Sequence, residues 1–346
     1  MSSSSIPDVP DIHDAALTAR LQHRLDTKTK PLGSLGRLEA LALQLGQVLG
    51  TETPQLEQPQ MIVFAADHGL TARGISAFPS DVTWQMVENF LSGGAAVSVL
   101  ARQHGIALTV ADCGVRYEFG PREGLVNFKI APGTRDSSEG PAMSAAECEQ
   151  AMVNGRVLVS QLPGNVVLLG EMGIGNTSAA AMLLSRLVHV DIAHCTGAGT
   201  GLDPDAVLRK AGILREVLQH HRSAITPLGA LAAFGGFEIA AMAGAALQAA
   251  EERRIVVVDG FISTAAIMVA HALQPHVLQR CVFAHRSGER GHALMLKHMR
   301  AEPLLDMGLR LGEGSGAALA WPLLQSACAI LRDMASFEAA EVSEKL

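Results

Sequence analysis

Two glutamates of this 346-residue chain sit inside glycine-rich turns, Glu171 in 170-GEMGIG-175 and Glu313 in 311-LGEGSG-316. Around the first, 166-VVLLGEMGIGNTSAAAMLL-184 carries a second chemical feature. The aliphatic run from Val166 to Leu169 suits a strand buried on both faces. Gly170, Gly173 and Gly175 then allow a tight turn, and Asn176, Thr177 or Ser178 can cap a helix that starts on the alanines. A strand, a turn and a helix N-terminus together aim backbone N–H groups at one point, where the helix dipole favours negative charge. That is an anion cradle suited to phosphate. An acid placed beside such a cradle implies chemistry rather than passive binding.

Glu313 lies between Gly312 and Gly314 ahead of an apolar helix. It either faces a close-fitting ligand or acts as a first-turn acid on the helix dipole. Other functional types end apolar runs: Asp67-His68, Asp112, Asp259 and His285. Each alone is explained by a turn or a helix cap. Asp67 and His68 have no partner at metal-ligand spacing, so the turn reading is preferred. His285 and His292 are too distant along the chain to define a site, and His220-His221 reads as a solvated helix end. The glycine order G-x-x-G-x-G differs from the dinucleotide fingerprint, although Asp191 stands at a spacing suited to a ribose contact, and no Gly-Lys dipeptide exists to make a P-loop. The loop 197-GAGTGLD-203 precedes a helix that Asp203 can cap with Pro204 at its first position. Lys210, two turns on, either reaches back towards a phosphate or is solvated.

The elements that must position these groups alternate along the chain. After residues 1–11, read as a loose tail, a modest helix spans 15–25 and an amphipathic one runs to about Leu49. A polar linker, 51-TETPQLEQPQ-60, separates them from strand 61–67. Ser80 or Asp81 caps a helix to Leu91, and a second helical stretch ends at His104. Strands follow at 106–112, 126–130, 166–170, 255–260 and 281–285, and helices at 144–160, 176–187, 204–220, 236–250, 261–273, 290–300 and 313–334. The segment 228–247 reads as a buried strand, turn and helix rather than a membrane span, because Glu238 and the pair Gly235-Gly236 interrupt it. This alternation implies an α/β fold, a doubly wound, mostly parallel sheet (Rossmann-like) covered on both faces, with ligands at the carboxyl ends of the strands.

Composition narrows the function. With 48% hydrophobic but only 4% aromatic residues, the core must be built from small aliphatic side chains that let helices sit close on a sheet. A net charge of −7 without a basic stripe argues against nucleic acid as the main partner. Five scattered cysteines with no CxxC pair fit buried thiols in a reducing cytoplasm, and the serine-rich start lacks the features of a secretion signal.

Seven segments in order, TKPLGSLGRLE, ADHG, GEMGIGNTSAA, GAGTGLD, DGF, HRSGERG and LGEGSGAALAWPLL, spread over residues 29–324. In these the chain resembles the nicotinate-nucleotide:dimethylbenzimidazole phosphoribosyltransferases of cobalamin biosynthesis. The resemblance implies transfer of phosphoribose from nicotinate mononucleotide to 5,6-dimethylbenzimidazole, with no metal or other cofactor needed. It also implies a homodimer and a small helical domain made from both chain ends, dividing the chain into 1–58, 59–300 and 301–346. Glu313 matches the family's catalytic glutamate, and Glu171 a second acid that assists or orients. Gly173, Ile174, Gly175, Lys210 and Ser287 match positions that hold the nucleotide's phosphate and ribose. Phe78, Met86, Met172 and Leu311 match the slot for the aromatic base, and some relatives carry polar side chains at the first two positions. Two other classes are open to test: a mononucleotide-sensing module, which would show no turnover, and a dinucleotide-dependent oxidoreductase, which would change nicotinamide absorbance.

Overall fold

The computed structural model of the chain describes residues 6–343. Its strands are β1 (Gln60–Ala66), β2 (Ala107–Gly114), β3 (Leu125–Asn127), β4 (Val166–Met172), β5 (Ile255–Val258) and β6 (Cys281–Phe283). They form one sheet in the order β3-β2-β1-β4-β5-β6, with every neighbouring pair parallel. In this doubly wound order the build-up reverses between β1 and β4, so the loops leaving those strands diverge and open a crevice.

The helices are α1 (Ala15–Asp26), α2 (Arg37–Leu49), α3 (Val82–Leu91), α4 (Ala96–His104), α5 (Ala145–Gln161), α6 (Asn176–Val188), α7 (Ile192–Cys195), α8 (Pro204–His220), α9 (Pro227–Phe234), α10 (Phe237–Glu251), α11 (Phe261–Leu273), α12 (His292–Met299) and α13 (Ser315–Asp333). Strand periodicity sorts them into two layers. Ile62, Phe64 and Ala66 point towards α5 to α12, whereas Met61, Val63 and Ala65 point towards α1 to α4 and α13. Because both faces are covered, the central strands are apolar throughout instead of alternating. The alanine-rich composition shows its use where α5 meets α10. A Cβ at Gly155 would lie 1.8 Å from the Ala241 carbonyl oxygen, and one at Gly244 2.0 Å from that of Met152, so the two backbones almost touch.

The chain ends meet on the second layer. The amide of Thr29 donates to Ala335 O at 3.1 Å, that of Phe337 to Thr27 O at 3.0 Å, and a buried Lys30–Glu39 ion pair of 2.8 Å ties the segment before α2 to its first turn.

Several sequence expectations need correction. Residues 6–11 are not a loose tail: Val9 is buried in the first layer, and Pro10 O accepts a 2.7 Å bond from the Arg280 guanidinium; residues 1–5 lie outside those described. The 126–130 strand shrinks to Leu125–Asn127, and 281–285 to Cys281–Phe283. The apolar run near 229–234 is helical, because Pro227 stands at the first position and Thr226 caps it by accepting from Gly229 N. Apolar length alone does not separate a buried strand from a buried helix. His221 is not simply solvated, since its Nε2 lies 2.8 Å from Ser137 O. No helix among the described residues is long and apolar enough to cross a membrane.

Candidate active site

The loops leaving β4, β5 and β6, with those before α3, α8 and α13, wall a cavity of about 220 Å³. At its floor the end of β4 carries Glu171, paired with Phe64 of β1 rather than standing in the glycine turn where the sequence put it, and packs backbone against backbone on the turn that carries Glu313. A Cβ at Gly170 would sit 2.2 Å from Glu313 O, and one at Gly312 2.3 Å from Glu171 Oε1. These two glycines therefore let the end of β4 and the Glu313 turn reach each other. The Glu313 amide donates to the Glu171 carboxylate, and Asn176 Nδ2 donates to Glu171 Oε2. Burial, then the charges of Asp259 and Glu238, push the Glu171 carboxyl up to about 8 against those two bonds.

Glu313 itself is strained. It holds φ at 66° between Gly312 (83°) and Gly314 (94°), a left-handed geometry that a residue with a side chain adopts at a cost. The residue is 6% exposed and lines the cavity, with Oε2 accepting from Val97 N at 3.4 Å. Burial raises its pKa, as does Asp259, while the Val97 amide opposes the rise. Asp259, buried at the end of β5, holds the turn from the other side: it accepts from Gly314 N at 3.3 Å and from Ala317 N at 2.9 Å. Helix α13 starts at Ser315, so Glu313 belongs to the turn and not to the helix.

The opposite wall is the N-terminus of α6. The expected caps Asn176, Thr177 and Ser178 give way to Gly175, whose φ of 95° ends the turn without any side-chain cap. Asn176 is drawn instead to Glu171. Likewise no side chain caps α3: Ser80 Oγ lies 2.9 Å from Thr71 Oγ1, and Asp81 makes no capping bond. Lys210 is 2% exposed and so does not solvate α8; its Nζ donates to Thr177 Oγ1 at 2.9 Å. Burial pulls this ammonium down to about 8, and Glu289, itself raised by burial, pulls back. Arg310 lines the same side and donates to Gly199 O at 3.4 Å.

Of the residues singled out in the sequence, Glu171, Met172, Gly173, Ile174, Ser287, Leu311, Glu313, Phe78 and Met86 line this one cavity. Gly175 does not; a Cβ there would press on Thr71 Cγ2 at 2.7 Å, so its place is the turn behind the wall. Lys210 stands one side chain back, behind Thr177. Phe78 and Leu311, 50% and 59% exposed, stand at the mouth. Asp67 and His68 lie outside: Asp67 accepts from Arg116 N at 2.9 Å, and His68 Nε2 is 2.6 Å from Glu238 Oε1 beneath the glycine turn. Asp191 is spent on capping α7. Asn176, Thr177, His285, Glu289 and Arg310 line the cavity but were not assigned to it from the sequence. His285 carried the signal of a strand end; Glu289 and Arg310 carried only a charge beside a glycine or a leucine.

Glu171, Glu313 and Asp259 thus gather at the floor, while Lys210 and Arg310 stand towards α6 and α8 with the Glu289 carboxyl beside them. A family model described as "Phosphoribosyltransferase" matches residues 11–342. A nicotinate-nucleotide–dimethylbenzimidazole phosphoribosyltransferase of Variovorax paradoxus (strain S110) is 69% identical over 344 residues, covering 99% of each chain. A protein of the same description from Aromatoleum aromaticum (strain DSM 19018 / LMG 30748 / EbN1) is 56% identical over 336 residues, 96% of this chain and 98% of that one. The crystal structure of CobT from Thermus thermophilus superposes with a TM-score of 0.92 at 39% identity, over 95% of this chain and 100% of that one. The chain belongs to the nicotinate-nucleotide–dimethylbenzimidazole phosphoribosyltransferase family.

Proposed function

We propose that this chain transfers phosphoribose from nicotinate mononucleotide to 5,6-dimethylbenzimidazole or a related base, giving α-ribazole 5′-phosphate and nicotinate for the lower ligand of cobalamin. The carrying observation is that Glu313 lines the same cavity as the Gly173-Ile174 turn. The α6 N-terminus, with Lys210 behind it, receives the phosphate, and Ser287 the phosphoribose beside it. Phe78, Met86, Met172 and Leu311 enclose the planar base.

The reaction suits that arrangement. Nicotinate leaves from its ring nitrogen as the C–N bond breaks, and the electron pair neutralises the pyridinium, so the leaving group needs no proton. One nitrogen of the incoming base bonds to the anomeric carbon from the other face, which inverts that centre. The proton on the base's second nitrogen passes to Glu313, whose burial brings its pKa closer to neutrality and so improves it as a general base. Positive charge builds on the sugar as the bond breaks, and the carboxyl-rich floor favours it. Glu171 orients the Glu313 turn through the Glu313 amide.

Purified protein mixed with nicotinate mononucleotide and a panel of bases should yield α-ribosides by chromatography. Absence of product with every base would overturn the reading. A homodimer in a reducing cytoplasm completes it; all five cysteines are buried and free, and light scattering tests the dimer.

A further inference from the structure

The glycine turn ahead of α6 rests on a buried histidine that no step above uses. A Cβ at Gly173 would lie 2.5 Å from Ala66 O, at the end of β1, and 3.4 Å from both Cδ2 and Nε2 of His68. One at Gly175 would lie 3.5 Å from His68 Cβ. Gly236 packs on the same ring, since its Cβ would stand 2.5 Å from His68 Cε1 and 2.3 Å from Glu238 Oε2. Glycines from two loops therefore let backbone close on this one side chain.

His68 is fixed from both its ends. Its carbonyl accepts from Thr71 N at 3.3 Å and from Thr71 Oγ1 at 2.7 Å. Its Nε2 lies 2.6 Å from Glu238 Oε1, and the two side chains are 5% and 0% exposed. Burial acts against the imidazolium and so does Arg116, but Glu238, by charge and by hydrogen bond, and then Asp67 outweigh them, so the pKa ends above the ordinary histidine value. The ring is thus a charged donor to Glu238. An ion pair this deep adds little net stability, because desolvating both partners offsets their attraction. What it supplies is a ring locked in one place, under a glycine that has no side chain of its own to hold the turn. The next amide is anchored away from the cavity as well: Ile174 N donates to the buried Thr83 Oγ1 at 3.1 Å.

We propose that His68 and Glu238 are positioning residues for nucleotide binding: the bonded ring is the platform that holds the Gly173 turn in register with the α6 N-terminus, and so sets the affinity for the nucleotide's phosphate without touching it. This role presupposes the phosphoribosyl-transfer reading, and the nucleotide is therefore followed by direct binding, which reads out whether or not a base is turned over. Calorimetry with nicotinate mononucleotide is run on wild type, His68→Gln and Glu238→Gln, alongside kcat, the KM for 5,6-dimethylbenzimidazole and thermal melting. Each variant should bind the nucleotide weaker by on the order of tenfold, the scale of one misplaced hydrogen bond. Both kcat at saturating nucleotide and the KM for the base should stay within a few-fold. Wild-type affinity in the folded variants, whatever their melting temperatures, would make the pair a packing element and overturn the proposal. So would a loss spread equally over nucleotide, base and kcat.

Wild type supplies a measurement that needs no variant to fold. Among the described residues His68 is the one histidine within hydrogen-bond distance of a carboxylate, the other close pair, His285–Asp259, standing 3.6 Å apart. Its Nε2 proton should therefore resonate at low field in the proton NMR spectrum, shift when nicotinate mononucleotide is added, and stay in place with 5,6-dimethylbenzimidazole alone. A resonance unmoved at saturating nucleotide would overturn the proposal. A wild type that binds the nucleotide but forms no product with any base would instead count against the transfer reading alone.

Discussion

Helices α6 and α13 begin alike and serve opposite purposes. Each follows a glycine in the left-handed region, at φ 95° for Gly175 and 94° for Gly314, and neither has a side-chain cap from its own N-cap residue. At α13 a carboxylate of the protein, Asp259, takes the amides of Gly314 and Ala317, so the dipole is answered from within and repels a second anion. At α6 the nearest carboxylate, Glu171, is engaged by Asn176 Nδ2 and the Glu313 amide, and the ammonium of Lys210 stands behind Thr177. One terminus is filled in order to hold a strained glutamate in place. The other, in the function proposed above, receives an anion from outside. A glycine turn ahead of an alanine-rich helix therefore names a type of terminus, and the residue facing it from a third strand decides its use.

Removing the glutamate that the filled terminus holds should do the greatest damage. Glu313→Gln keeps the shape and the Val97 contact but cannot take a proton. Turnover should drop on the order of 10²-fold or more, while calorimetry shows nucleotide binding nearly unchanged. The acid limb of the pH–rate profile should vanish with it. Burial raises the Glu313 pKa, so wild-type activity climbs with pH through a value above the ordinary carboxylate range. Turnover within a few-fold of wild type would remove Glu313 from the role.

At the open terminus the loss should fall on binding. Lys210→Ala should weaken nicotinate mononucleotide binding roughly tenfold to a hundredfold, as expected for a lost charge-assisted contact, with kcat less affected. The lysine is cationic below about 8 and neutral above it, so kcat/KM for the nucleotide should decline as pH rises through that value. Glu171 titrates near the same pH. If the limb belongs to the lysine, Lys210→Arg should abolish it and Glu171→Gln should retain it. Asp259→Asn, which keeps an acceptor for α13 but loses the charge, should cost several-fold in kcat and leave nucleotide affinity intact. A loss confined to affinity would contradict its place in the Glu313 support.

How much of this could be read from the chain alone depended on whether the cause was local. The strand that leads into Glu171, the glycine turn before α6 and the Asp203-Pro204 start of α8 arise from neighbouring residues, and the structure has all three. The resemblance supplied what spacing left open, the choice of Glu313 over a plain first-turn acid. What escaped was set by contacts across the sheet. Asn176 looked like a cap, but the left-handed Gly175 takes the cap position, and Asn176, already inside the helix, donates from Nδ2 to Glu171. Residues 6–11 looked unstructured, yet Arg280, 270 positions away, fastens Pro10. The 229–234 run has equal apolar content as strand or helix, and Pro227 with Thr226 decided it. His285 escaped because its place in the cavity wall is set by packing against Gly316 of α13, which is visible only once neighbours are placed.

The smallest expected effect concerns stability, and it tests whether the carboxyl floor is strained for the sake of the site. A carboxyl whose folded pKa is raised binds its proton more tightly in the native state than in the unfolded chain. Between the unfolded value of 4.5 and the folded value of about 8, the native protein therefore holds more protons, and stability falls as pH rises. Below 4.5 both states are protonated and the penalty disappears. Glu171→Gln preserves an acceptor for Asn176 and removes the titration. The variant should melt a few degrees higher than wild type at pH 8 and within about a degree of it at pH 4, as scaled for a domain of this size. Catalysis should weaken at the same time, because the Glu313 amide loses the carboxylate that orients it, the usual exchange of activity for stability at a strained site. A melting difference independent of pH would mean that Glu171 is not the buried acid of the floor. The contrast between the filled terminus and the open one would then rest on Asp259 and Lys210 alone.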